Sequence, residues 1–420
     1  MRSKTVRRLT SGLLILSIIS LFLSVVLSGC SKKEPRAQRI PITVYLKRLG
    51  SEREETVDRA RTAIISMGKE AVPYILKDWK RKKTTMARRY ELAKLFEGIG
   101  PDAADAVPVL IEALEILDED MIGHAAAALG GIGPASAAAA PRMAALLRSS
   151  DYSTQVGLLK GLSGIGPAAS DAIPLMLEAA IREKTRREAI IALGKMGPQV
   201  VEELKAWLEG DDAQEKLIAF EILSNAGEDA ITALPYLTKA LKDNNPRIRI
   251  AAVRAIGQAG PKAVGVLDNL VDVLNDHDHD VRMESISAIA AIGSDLVGDR
   301  MLKAINDPKP RVREGSIRVI NRWSTVMDKA KPKLIARLGD SNVLVQLAAT
   351  DALSAMGEKI VPTMINLLNS ENVQKRFGAA RVLGNLGKSA KSAIPHLNKA
   401  SRDKDSLVRE EANRALQKIR

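Results

Sequence analysis

Cysteine, histidine and aromatic side chains are all scarce in this chain, and each scarcity excludes something. One cysteine, Cys30, stands in 420 residues, so no intrachain disulfide framework can form. Only four histidines occur, at 124, 277, 279 and 396, which leaves few ways to build a histidine metal centre. Aromatics make up 3% of the chain, so any core must be assembled from Ala, Leu, Ile and Val. Three short motifs are also missing: a Gly-rich phosphate loop, a Gly-x-Ser-x-Gly elbow and a His-Glu-x-x-His zinc helix. The chemistry most easily read from sequence is therefore absent, and organisation becomes the main signal.

The first thirty residues are a unit of their own. Arg2, Lys4, Arg7 and Arg8 precede an uncharged run from Leu9 to Leu27, followed by Ser28, Gly29, Cys30 and a polar stretch. A positive segment, an apolar run and a small-residue end form an export signal, which is set aside in reasoning about the fold. Leu27-Ser28-Gly29-Cys30 resembles a bacterial lipobox, and that resemblance implies cleavage before Cys30 and lipidation of its thiol. An uncleaved signal anchor is the alternative, because the run is nearly long enough to cross a bilayer. Both readings place the rest outside the cytoplasm, tethered to a membrane on the periplasmic side or at the cell surface. With Cys30 lipidated, no thiol remains for a metal or a nucleophile. The net charge is +13, and removing the four signal charges leaves +9, mixed in sign along the chain. That balance suits acidic partners or headgroups without indicating nucleic acid.

Residues 1–29 are thus expected as signal peptide, 30–50 as lipidated cysteine and tether, and 51–420 as one repeat array. Ser51-Glu52-Arg53-Glu54 resembles a capping box at its start. The repeat is clearest from Asp276 to Asn306. It comprises an apolar-periodic helix, a glycine stop, a short turn and a second apolar helix. Marker glycines stand at 68, 100, 133, 166, 197, 227, 260, 293, 357 and 387, and one degenerate copy near Ser324 fills the long gap. Four residues before each marker lies Leu, Ile or Phe, such as Leu129, Ile256 and Leu383, and eight before lies a mostly small residue. These offsets share one helical face and predict the spine of the core. The glycine is expected as a left-handed helix stop. Eight residues later Pro108, Pro141, Pro174, Pro235, Pro332 and Pro395 are expected to open the second helix.

The phrase built from Asp, Val-Arg, Ala-Ala, Ala-Leu, Ile-Gly-Pro and Ile-Pro-x-Leu resembles HEAT repeats. The nearest variety is the short bacterial type also found in phycobilin-lyase-like proteins. The resemblance covers about residues 51–420 and implies an all-α solenoid, a superhelix of about eleven hairpins closed by a capping helix, Asp405 to Arg420. Such arrays serve many functions. Among helical-repeat enzymes, deoxyhypusine hydroxylase holds iron with His-Glu pairs, and this chain has no His-Glu dipeptide. Bilin lyases work on cytoplasmic pigment, which conflicts with an export signal. Repeat-fold DNA glycosylases use an aromatic-rich groove, whereas Trp79, Trp207 and Trp323 are scattered here.

Two charged ladders run through the repeats. Arg89, Arg186, Lys216, Arg249, Arg282, Arg313, Arg376 and Arg409 lie eleven residues before the marker slots. Asp243, Asp276, Asp307, Asp340 and Asp403 lie six residues earlier still. A periodic residue usually serves the period, so capping and pairing between neighbouring repeats is favoured over an anion-binding stripe. His277 and His279, within Asp276 to Asp280, are the one cluster of metal-ligand types; lacking a distant second set, they give no expected metal or cofactor. The segment 300–337 carries eleven Lys/Arg against three acids and lacks the marker glycine. Lys303, Lys309, Arg311, Arg318, Arg322 and Trp323 form the first candidate contact patch there. Lys80, Arg81, Lys82, Lys83 and Arg88 form a second basic patch, placed to meet anionic headgroups near the anchor. The expected function is a non-catalytic, membrane-tethered scaffold presenting the second helices to a protein partner, with no nucleic acid and no small-molecule substrate. The competing reading is an envelope enzyme or metal-binding factor on the His277/His279 loop, or a lyase-like HEAT protein.

Overall fold

The computed structural model describes residues 36–37 and 40–420. The signal peptide, Cys30 and the anchor expected on it lie outside the described residues. The chain divides into two compact units, the first ending at Ala106 and the second running from Val107 to Arg420.

In the first unit, Arg36–Ala37 pairs antiparallel with Ile40–Pro41, and the helix Ile42–Arg48 follows at once. Residues 42–48 are therefore helical, where a tether was expected. Ile42, Tyr45 and Leu49 bury their side chains, and those three anchors explain why so short a segment is held. The expected capping box is not formed either. The helix begins at Glu54, after Arg53, and Ser51 instead accepts the Arg53 N–H at 3.2 Å. Val72–Trp79 and Met86–Ile99 complete the unit, with Thr85 capping the latter by accepting the Arg88 N–H.

The second unit repeats one grammar. First helices run Glu119–Ile132, Tyr152–Ile165, Arg186–Leu193, Ala213–Ala226, Pro246–Gln258, His279–Ile292, Pro310–Ile320, Val343–Ala355 and Val373–Leu386. Ser406–Ile419 closes the chain as the expected single helix. Short polar residues start most of them: the side chains of Asp118, Asp151, Asp212, Asn245, Asp278, Asn342, Asn372 and Asp405 each accept a backbone N–H of the first turn. Thr185, before Arg186–Leu193, and Lys309, before Pro310, are the exceptions and provide no such cap.

All ten marker glycines have positive φ. At Gly100, Gly133, Gly166, Gly227 and Gly387 the conformation is not the expected left-handed helical one: Gly133, at φ 80° and ψ −143°, sits in the mirror of the β region. A Cβ makes that region costly, so glycine is needed there even more strictly than at an ordinary helix stop. The cause is the path of the chain beyond the glycine. In most repeats it enters a short 3₁₀ helix, such as Gly133–Ala139 or Gly166–Ala172, before the second helix opens. Pro141, Pro174, Pro235 and Pro395 then occupy its first turn, as expected.

Three repeats omit the 3₁₀ segment and have longer second helices, Gln199–Glu209, Ser294–Ala304 and Ser324–Arg337. In the last of these Pro332 lies inside the helix rather than opening it. That helix starts at Ser324, directly after the first helix of its repeat, and runs through the proline slot. The spine is as expected: every residue four before the marker, Ile320 of the degenerate copy included, is fully buried. The slot one before the marker is less uniform, since Met67, Ile99, Ala226, Met356 and Leu386 are only half-buried. The described residues thus form an all-α solenoid of stacked helical hairpins.

Candidate functional site

The charged ladders are built into the stacking. Arg249 pairs with Asp276, Arg313 with Asp340 and Arg376 with Asp403, each through two parallel N–H···O bonds of 2.6–2.9 Å. In every case the acid stands 27 residues on. The same guanidinium also donates to two carbonyls of its own inter-repeat loop; for Arg313 these are Asp307 and Pro308. The Asp in turn accepts the N–H two residues ahead, as Asp403 does from Asp405. Arg186, Arg282 and Arg409 keep the carbonyl contacts. Gln155 and Gln346, which interrupt the ladder in sequence, still donate to loop carbonyls. The Arg376 bond holds the Asp403 carboxyl below its ordinary range, against the opposing effect of burial. At Asp340 burial acts first to raise the value, yet the Arg313 and backbone bonds leave it lowered.

The histidine loop is committed in the same way. Asp276 belongs to Arg249, and Asp278 caps His279–Ile292. His277 is exposed beside Asp276, and His279 leans on Arg282. Among the described residues no group of three or more His, Cys, Asp or Glu side chains is placed to hold a metal ion.

The first basic patch is only partly one surface. Arg311, Arg318 and Arg322 are exposed along Pro310–Ile320 and just beyond it, at spacings that share one helical face. Each touches a partner: Arg311 donates to the Asp276 carbonyl, Arg318 pairs with Glu314, and Arg322 reaches Ser287. Lys303 lies on the second helix Ser294–Ala304, Lys309 in the loop between, and Trp323 is half-buried just before Ser324–Arg337. In the second patch Lys80, Arg81, Lys82 and Lys83 are exposed, whereas Arg88 is not available. Its guanidinium clamps Asp78 at 2.6 Å and donates to the Leu46 carbonyl at 2.7 Å, tying down Ile42–Arg48. That contact removes Arg88 from the candidate surface.

Three open hollows of about 760–800 Å³ were not foreseen from sequence. One lies across the first helices between Arg187 and Arg254, where Arg186–Leu193 has eight residues and its neighbours have fourteen. A second lies by Tyr236, where the ladder carries Lys216 in place of arginine and no Lys216–Asp243 bridge forms. The third lies between Leu368 and Lys404. Shortened helices and a Lys in an Arg slot were signals in the sequence, but their effect on the surface depends on three-dimensional spacing.

The class of protein is set by this architecture: an α-solenoid whose periodic charges serve its own stacking. A family model for HEAT repeats matches residues 234–321 and 361–420. Among solved structures, an engineered protein aligns over 90% of this chain and 98% of its own at 20% identity, with a TM-score of 0.28. Kap121p bound to Pho4p aligns over 94% of this chain and 51% of its own at 14% identity, with a TM-score of 0.43. Importin beta aligns over 90% and 61% at 12% identity, with a TM-score of 0.39. The chain thus spans about half the length of Kap121p. No curated protein matches it.

Proposed function

We propose that this chain is an exported, lipid-anchored and non-catalytic scaffold that binds a protein partner through the surface lined by its second helices. One observation carries the reading: the ladder charges are committed to stacking, so the groups left for recognition are open hollows and surface cations. Repeat arrays of this kind offer extended surfaces rather than enclosed sites. Cys30 at the end of the export signal supplies the tether, which keeps the array at the membrane while it captures its partner.

The test is cross-linking and capture from native membranes, comparing the full chain with a variant carrying Lys303→Glu, Arg311→Glu and Arg318→Glu. The scaffold reading expects one partner to be recovered in proportion to bait and to be weakened by the charge reversals at unchanged thermal stability. Equal recovery would leave the 303–318 patch idle, and recovery of nothing would end the scaffold reading. Stoichiometric metal in the purified chain, lost on changing His277 and His279 to Ala, would instead establish the metal-binding alternative.

A further inference from the structure

We infer that the hollow between the last two second helices is the docking site for an acidic segment of the partner polypeptide. The inference rests on the scaffold reading and names the chemistry of its partner. Its basis is an imbalance of available charge. From Gly387 to Asp405 the chain carries Lys388, Lys391, Lys399, Arg402 and Lys404 against only Asp403 and Asp405. Both acids are occupied: Asp403 is held by Arg376 in two bonds, and Asp405 caps the terminal helix through the N–H groups of Leu407 and Val408. The five cations are exposed. None of them forms an ion pair with a carboxylate, and the only side-chain bond among them is a long one from Lys399 to Asn369. Elsewhere in the array, some exposed cations, such as Arg148, Arg254, Lys262 and Arg300, are neutralised by acids of an adjacent repeat, while others, such as Lys160 and Lys195, stand singly rather than in a cluster. This end of the second-helix layer is therefore left with positive charge that no internal partner answers.

Shape decides which anion fits. Lys399, Arg402 and Lys404 line a recess of about 760 Å³ whose wall includes Leu368 and Ala400, with Glu371 the one uncommitted acid on its rim. A concave recess with an apolar wall accepts side chains of a polypeptide, whereas a bilayer presents a broad plane that would meet projecting residues first. His396 is the single ring among the residues lining the recess, with no Phe, Tyr or Trp beside it, so it lacks the succession of stacking rings expected of a single-stranded nucleic-acid site. Carboxylates of an acidic stretch would meet the Lys and Arg heads, and an apolar residue between them would meet Leu368.

The test uses the detergent-solubilised full-length chain and a fluorescein-labelled peptide of alternating Glu and Leu, read by anisotropy at low ionic strength. The wild-type chain is expected to bind, and Lys399→Glu with Arg402→Glu and Lys404→Glu is expected to weaken binding about tenfold or more, as for reversal of a local charge cluster. A control with the same change in net charge, Lys160→Glu with Lys195→Glu and Lys69→Glu, is expected to stay within about twofold. Equal loss in both variants would reduce the effect to overall charge and overturn the site. Absence of peptide binding would overturn it too, as would loss in the first variant of binding to phosphatidylglycerol vesicles but not to peptide, which would assign the surface to the membrane. Should the triple reversal fail to fold, Arg402→Gln with Lys404→Gln provides the same comparison at lower electrostatic cost. A chain that captures a partner from membranes yet ignores the peptide refutes this inference alone; a chain that binds the peptide yet captures nothing refutes the scaffold reading alone.

Discussion

At the scale of single residues, Arg313 shows why the ladder persists through the array. Its guanidinium is 8% exposed as a residue and bonds to both Asp340 oxygens and two loop carbonyls, so four acceptors in two repeats depend on one side chain. Arg337 also pairs with Asp340, at 3.0 Å, so Arg313→Leu removes donors from two loop carbonyls and the carboxylate without leaving that charge alone, and is expected to lower stability by about 2 kcal/mol in urea titration. Arg282 holds loop carbonyls without an aspartate in the 27-residue position, where Lys309 stands, so Arg282→Leu should cost roughly 1 kcal/mol. The same ladder sets the response to acid. The carboxyls of Asp340 and Asp403 are lowered in the folded state, so their contribution is complete above the usual carboxylate value of about 3.9 and is lost as pH falls through the folded values. Urea midpoints should therefore drop below about pH 4. Asp403→Asn should be less stable at neutral pH and lose less on acidification; an unchanged pH dependence would remove Asp403 from this account.

At the scale of helices, the tightest approach in the array is between Glu119–Ile132 and Tyr152–Ile165. A Cβ added at Gly130 would lie 2.7 Å from the Gly161 Cα, and one added at Gly161 would collide with the Ala126 carbonyl and the Met143 methyl. The motif recurs with the same separation: Gly257 lies against Ala288, and Gly384 against Ala415. A glycine three residues before the marker, facing a small residue 31 further on, lets two backbones meet, a pairing that apolar periodicity does not reveal. Gly161→Val is expected to destabilise the chain by about 3 kcal/mol through overpacking against backbone that cannot yield. Thermal denaturation with no loss beyond that of an exposed Gly substitution would contradict the close approach. The uncapped Pro310–Ile320 makes the opposite prediction. Lys309 already has the extended backbone of a capping residue, φ −82° and ψ 120°, so Lys309→Asp should supply the missing acceptor and stabilise by about 1 kcal/mol.

At the scale of the whole molecule, contacts run between adjacent repeats, so disturbance should remain local. In Arg313→Leu, amide exchange is expected to rise in residues 294–355 and to stay unchanged beyond about two repeats on either side, as a nearest-neighbour array requires. Uniform acceleration over residues 107–420 would show a single cooperative unit instead. The proposed anchor is tested at this scale too. Cys30→Ser is expected to abolish labelling by radioactive palmitate and to release the array from the membrane fraction; retained label would end the lipoprotein reading.

The sequence by itself determined the repeat: its period, the marker glycines, the buried spine and the number of hairpins all follow from local periodicity and backbone sterics. It also favoured stacking over ligand binding for the Arg and Asp ladders, because residues that recur with the period usually serve it. Tertiary structure decided what depends on distance between chain segments. Only there did Arg88 become a clamp on Asp78 and the Leu46 carbonyl, Ile42–Arg48 a packed helix, and Pro332 an interior residue. The same holds for the surface. Charge density along the chain pointed to 300–337, but a cation is available for recognition only if no neighbour neutralises it, and those neighbours stand 27 to 35 residues away. Ion pairs across repeats neutralise Arg300 and Arg313, whereas the cations between Lys388 and Lys404 are exposed and form no such pair.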